Sequence, residues 1–155
     1  MKKKTAIVAL AAGVVGLASG LGAGLVSQPS AKTYKNGSVW EVQFVRMKPG
    51  MDDAYKNYLS GQWRSVNEAL KKDGLILSYK VLECEAHGKD DFNLMLMTEY
   101  KDLASMEEGE PRMEAVEERV VGNQAKQESG YKERGEIREL IGSRLSREIV
   151  LEGKR

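Results

Sequence analysis

Between residues 39 and 59 the sequence VWEVQFVRMKPGMDDAYKNYL changes its hydrophobic period from two to three-and-four, and the change falls at Pro49-Gly50. Alternate positions of a strand point to opposite faces, whereas positions three and four apart share one face of a helix. The break therefore predicts a strand that turns back into a helix laid across it. Trp40, Val42 and Phe44 fall on one strand face and Glu41, Gln43 and Val45 on the other, and the first set is expected to meet the helix. Asp52 and Asp53 suit the helix start, where carboxylates meet free amide groups and the positive end of the dipole. Tyr55, Tyr58, Leu59, Gln62, Trp63, Val66, Ala69 and Leu70 then form a stripe. Lys71, Lys72, Asp73 and Gly74 close the helix with cations in the last turn and a glycine beyond.

The same reading continues along the chain. Residues 75–86 and 92–100 alternate as two strands joined by the turn HGKDD. In the first, Leu75, Leu77, Tyr79 and Val81 oppose Ser78, Lys80, Leu82 and Cys84; in the second, Phe92, Leu94, Leu96 and Tyr100 oppose Asn93, Met95, Met97 and Glu99. Leu103 and Met106 start a second helix, which is expected to break at Gly109–Pro111 and resume through Met113, Val116, Val120 and Val121. A further helical piece runs through Ile137, Leu140 and Ile141 to Gly142, and residues 145–152 form the last strand. The order strand, helix, strand, strand, helix, strand predicts an α+β domain over residues 39–152. It is a ferredoxin-like βαββαβ unit, a four-stranded antiparallel sheet with its helices on one face.

The N-terminus has a different character. Lys2, Lys3 and Lys4 precede a stretch from Ala6 to Val26 without a charge, as a secretion signal requires. Residues 1–31 are read as a signal peptide, with small residues Ser27 and Ala31 as cleavage points. The alternative is an N-terminal membrane anchor over residues 5–26, in which Gly16, Gly20 and Gly24 repeat a small-xxx-small spacing. Residues 32–38 read as a linker. Either way the domain is expected to be exported, periplasmic or secreted, with membrane contact only through an uncleaved N-terminal segment. The formal net charge of +1 turns weakly negative once the three lysines are removed. With no basic stripe interleaved with aromatics, nucleic acid is excluded as a partner. Cys84 is the only cysteine, so no internal disulfide forms, and the thiol is expected to act as a small apolar side chain.

If the helices cover the Trp40 face, the opposite face carries Glu41, Gln43, Val45, Leu82, Cys84, Met95 and Met97, which is too apolar to leave in water. Two such sheets facing each other about a two-fold axis would bury it and enclose a cavity. A charge at Met95 or Val45 is then expected to break the dimer. The runs RMKPGMDDAYKNYL, GLILSYKVL, DDFNLMLMTEYKD and ELIGSRLSREIVLE resemble the dimeric α+β barrel superfamily, in particular its exported, functionally uncharacterised members. That resemblance implies a homodimer with ligands between sheet and helices or inside the barrel. It also brings the activities found there: cofactor-independent monooxygenases, haem-degrading enzymes and proteins without known chemistry.

Motif chemistry is sparse. There is no HxxH, HExxH, CxxC or GxSxG, so no metal and no cofactor is expected. Glu107, Glu108, Glu110, Glu114, Glu117 and Glu118 read as a solvated helix face with Arg112 and Arg119. The polar residues expected in the cavity are Glu41, Gln43, Lys80, Asn93 and Glu99, with Arg147 or Glu148 from the last strand. Glu41 would pair with Lys80 or Arg147, or act as a general base. Trp63 and Tyr58 on the first helix read as core more than as a ligand platform, with Trp63 kept among the pocket candidates. The expected function is a homodimeric barrel that binds a small apolar or aromatic molecule. Through the resemblance, the alternative is a cofactor-independent monooxygenase of the antibiotic-biosynthesis type, in which Gln43, Asn93 and Trp63 hold substrate and oxygen. A third alternative is haem binding through His87, the only histidine, although that residue falls in the HGKDD turn.

Overall fold

The reversal at Pro49-Gly50 is a tight turn. The Met51 amide donates to the Lys48 carbonyl at 2.9 Å, and Gly50 sits at φ 76°, a left-handed conformation that glycine adopts without strain. The computed structural model describes residues 33–153. The expected signal or anchor segment lies outside the described residues. Strand β1 (Tyr34–Met47) enters the turn and α1 (Asp52–Tyr58) leaves it; a π-helical turn (Leu59–Trp63) and α2 (Arg64–Lys72) follow. The chain then forms β2 (Ser78–Glu83), β3 (Leu94–Tyr100), α3 (Leu103–Val121), α4 (Gln124–Ile137) and β4 (Arg138–Leu151).

The strands form one sheet in the order β2-β3-β1-β4, with every neighbouring pair antiparallel. This is the ferredoxin-like βαββαβ arrangement, α+β in class. Helix α2 ends where Gly74 takes φ 71° and the Leu75 amide donates to the Leu70 carbonyl at 2.9 Å. Asp102 caps α3 by accepting from the Ser105 amide at 2.7 Å, and Asn123 caps α4 by accepting from Lys126 at 3.2 Å.

Several boundaries differ from the sequence reading. Tyr34 to Ser38 belong to β1 instead of a linker, because β4 is long enough to pair with them: Tyr34 lies opposite Leu151 and Met47 opposite Arg138. For the same reason β4 starts at Arg138, and Leu140 and Ile141 are strand residues. A bulge lets the ribbon continue past Gly37, where an added Cβ would come within 2.5 Å of the Glu148 carboxylate. β2 is shorter than the expected 75–86. Helix α3 runs without a break through Gly109 and Pro111. Gly109 is buried against Leu75. The packing of Met106, Met113, Val116 and Val120 into one cluster holds the helix together despite the hydrogen bond that Pro111 removes.

The largest correction concerns the phase of β1. Val39, Val45 and Met47 face the helices, and Val45 is 0% exposed. They belong to two clusters: Val39 with Leu70, Leu75, Ile76, Tyr100 and Val116, and Val45 and Met47 with Tyr55, Leu59, Leu94 and Leu96. Opposite residues of an antiparallel pair share a face, so the pairs Trp40–Glu99, Val42–Met97 and Phe44–Met95 put Trp40, Val42 and Phe44 on the open side. Within the observed strands the faces expected for β2 and β3 hold, with Lys80 and Leu82 opposite Met97 and Met95 on that open side, but Phe92, expected beside Leu94, precedes β3 and meets Phe44 with ring centres 4.7 Å apart. A charge at Val45 would therefore disrupt the core and would not test an interface.

Candidate functional site

Because Glu41 and Gln43 share a face with Val39 and Val45, they point under the helices. There they form the floor of a cavity of about 340 Å³ between sheet and helices. β3 adds Leu96, Thr98 and Tyr100 to the floor; Tyr55, Tyr58, Gln62, Trp63 and Asn67 form one wall, and Tyr131, Arg134 and Arg138 another. The π-helical turn contributes Gln62 and Trp63. A π turn is a local departure from helical spacing that recurs at functional sites, and here it is followed by Asn67, whose amide donates to the Trp63 carbonyl at 2.9 Å. The Trp63 ring meets Tyr79 edge-on at 5.3 Å and also borders a more open groove lined by Leu59, Val81 and Leu94.

The floor is a short polar chain. Gln43 Nε2 donates to Glu41 Oε1 at 3.3 Å, and the Tyr100 hydroxyl donates to Glu41 Oε2 at 3.4 Å. Both carboxylate oxygens are thus met by neutral donors instead of a cation. Burial, and secondarily the neighbouring Glu41, pushes the Tyr100 phenol up to about 12. Burial does the same to Tyr55, also to about 12, and raises Tyr58. These phenols stay neutral hydrogen-bond donors far above physiological pH. At the rim, desolvation and then the charge of Glu114 raise the Glu117 carboxyl, while Arg134 opposes that shift.

The far wall is cationic and aromatic. Tyr131 and Arg134 lie three apart on α4 and so share one of its sides, and Arg138, the first residue of β4, borders the same cavity. The Arg134 guanidinium lies 5.0 Å from the Tyr58 ring centre and 5.8 Å from that of Tyr131. Arg138 lies 6.0 Å from Tyr55 and 5.8 Å from Tyr131. Among the described residues no carboxylate comes within ion-pair distance of either guanidinium. Arg138 Nε is buried without a hydrogen-bond partner, a condition that costs about 1–3 kcal/mol.

Of the residues expected in a cavity between two facing sheets, Glu41 and Gln43 turn instead to the helix side, where they line this cavity together with Trp63. Lys80 and Glu99 lie on the open side: Lys80 Nζ sits 4.4 Å from the Trp40 ring centre, and Glu99 accepts from Ser78. Asn93 is structural, its Oδ1 accepting from the Met47 amide at 2.8 Å. Arg147 is exposed on β4 opposite Val39. Glu41 consequently pairs with neither Lys80 nor Arg147. His87 is exposed in the β2–β3 connection, where its amide donates to Asp91 at 3.1 Å, and it does not line the cavity. Sequence reasoning missed Tyr55, Tyr100, Tyr131, Arg134 and Arg138. Tyr131 and Arg134, three apart on α4, were the available signal; Arg138 joins them as the first residue of β4, a place fixed by where the helix gives way to the strand.

Fold and cavity together define a ferredoxin-like domain with a ligand-sized space between its layers. No family model matches the chain, and no curated protein sequence matches it. Among solved structures it is similar to HapK from Hahella chejuensis, with 10% identity over 70% of this chain and 90% of that chain and a TM-score of 0.46. It is also similar to a dimeric protein of unknown function and ferredoxin-like fold from Bacteroides fragilis, with 14% identity over 72% of this chain and 95% of that chain and a TM-score of 0.39.

Proposed function

We propose that this is an exported homodimeric α+β barrel protein that binds a small aromatic molecule between its sheet and its helices. The observation that carries the reading is the cavity of about 340 Å³, bordered by Tyr55, Tyr58, Trp63, Tyr100 and Tyr131 with the Glu41–Gln43 pair beneath. Aromatic walls with converging polar groups that can fix a ligand's orientation suit a small-molecule site. In the test, neutral and anionic naphthalene derivatives are titrated into the protein by calorimetry. Saturable binding is expected, and it should be lost when Thr98→Trp fills the floor. Failure of every such probe to bind, or binding that survives Thr98→Trp, refutes the reading.

The homodimer is supported by the open side of the sheet. Trp40, Val42, Phe44, Leu82, Met95 and Met97 form an apolar centre there, with Lys80, Glu99 and Arg144 on the same side. A face holding an apolar centre and charges of both signs is self-complementary about a two-fold axis, so a second copy is the occupant it fits. Phe44→Asp should convert the dimer to a folded monomer by sedimentation velocity; an unchanged dimer refutes the arrangement. Export rests on Lys2 to Lys4 and the uncharged stretch after them. It is checked by cell fractionation and N-terminal sequencing. A second reading, cofactor-independent oxygenation, is favoured by Gln43 and Trp63 sharing the cavity, and oxygen consumption with quinol-type substrates tests it.

A further inference from the structure

We propose that the cavity is built for an aromatic molecule that carries an acidic group, and that Arg134 and Arg138 receive that group. The inference rests on the small-molecule reading above and narrows it to a ligand class. Three observations on one wall point the same way. Both guanidiniums border the cavity, and among the described residues neither has a carboxylate within ion-pair distance. Arg138 additionally holds its Nε buried with nothing to donate to.

Arginines placed only to cover a surface would turn their forks to water or to a neighbouring acid. These two instead lie against the rings of Tyr55, Tyr58 and Tyr131 at 5.0–6.0 Å. Stacking on rings fixes the plane of a guanidinium and leaves its edge N–H groups free, the presentation that a planar carboxylate matches with two parallel hydrogen bonds. The aromatic residues that hold the arginines also supply walls for the ligand's ring.

The opposite end of the cavity sets the ligand's orientation. Glu41 on the floor has both oxygens met by neutral donors from Gln43 and Tyr100. An anionic group placed there would meet a carboxylate, whereas at the other wall it meets two cations. The acid therefore points toward the junction of α4 and β4, and the far end of the molecule, carrying a hydroxyl or amine that can donate to Glu41, points to the floor. Lysine in place of either arginine would keep the charge but lose the planar fork.

The experiment compares 2-naphthoate with its neutral counterpart 2-naphthamide by isothermal titration on the full domain. Naphthoate should bind at least tenfold tighter. Arg138→Gln and Arg134→Gln should each remove most of that preference by weakening naphthoate far more than naphthamide, and Arg138→Lys should restore part of it. Arg134 lies on α4 and takes no part in the sheet, so its variant keeps the test available if Arg138→Gln does not fold. Equal affinity for the two probes, or naphthoate binding insensitive to both arginine variants, overturns the anion assignment while leaving the small-molecule reading intact. Absence of binding by either probe overturns both.

Discussion

Leu94 and Met95 are neighbours on β3 whose side chains point to opposite sides of the sheet, and they give a direct test of the face assignment. Leu94 is 1% exposed and packs with Val45, Met47, Tyr55, Leu59 and Leu96. Truncation to alanine removes buried methyl groups and leaves a cavity that the two layers close only in part. The expected loss is about 3 kcal/mol, within the 2–5 kcal/mol typical of such changes. A domain stabilised by roughly 5–15 kcal/mol survives this but is visibly weakened. With a urea m-value of about 1–3 kcal/mol per molar, the midpoint should fall by about 1–3 M. Met95 lies opposite Phe44 and Leu82 on the open side, so Met95→Ala should cost less than about 1 kcal/mol in the monomer. Its effect should grow only at concentrations where the dimer forms. Far-UV circular dichroism during urea titration, repeated over a range of protein concentrations, measures both. Equal losses in the two variants at low concentration, or a larger loss for Met95→Ala, would refute the assignment of faces.

Asp102→Ala should lower the melting temperature by removing the cap on the Ser105 amide, and Asp102→Asn should recover most of the loss in thermal melts. That hydrogen bond holds the Asp102 carboxyl below its usual value of 3.8. Its contribution is therefore complete at neutral pH and should be lost as the pH falls through the lowered value, which acid titration of the wild type and the alanine variant will reveal. At the alkaline end the sign reverses. Tyr55 and Tyr100 have phenols raised from 10.0 to about 12, so the folded state holds their protons more tightly than the unfolded chain. That contribution is fully present below pH 10 and should disappear as the pH rises through about 12. Melting temperature should fall across that window with a tyrosinate absorbance step, and Tyr55→Phe should flatten the slope; an unchanged slope would refute the burial-driven shift.

The element order was legible because it depends on local periodicity and punctuation. The switch at Pro49-Gly50, the stripe from Tyr55 to Leu70 and the glycine at position 74 each act within a few residues of themselves. The split of β2 and β3 into Leu94 and Leu96 facing one way and Met95 and Met97 facing the other was legible for the same reason. Gly109 and Pro111 misled, because their local preference to break a helix is outweighed by contacts with Leu75 and the surrounding cluster that are distant in sequence. The end of α4 misled likewise: Leu140 and Ile141 continue a helical spacing, but pairing with Val45 and its neighbours draws them into a strand.

The sequence alone determined that this chain alternates strands and helices in the ferredoxin-like order, since hydrophobic period and turn residues are properties of neighbouring positions. Only the tertiary structure decided which side of β1 the helices cover. Both sides of that strand hold apolar residues, and alternation says which residues share a side without saying which side is inside. Glu41 and Gln43 turned inward because the layers stand apart above them and leave a cavity where polar groups find partners. The joining of Arg134 and Arg138 to that cavity likewise depends on α4 returning to the sheet, a meeting of segments far apart along the chain that no local pattern encodes.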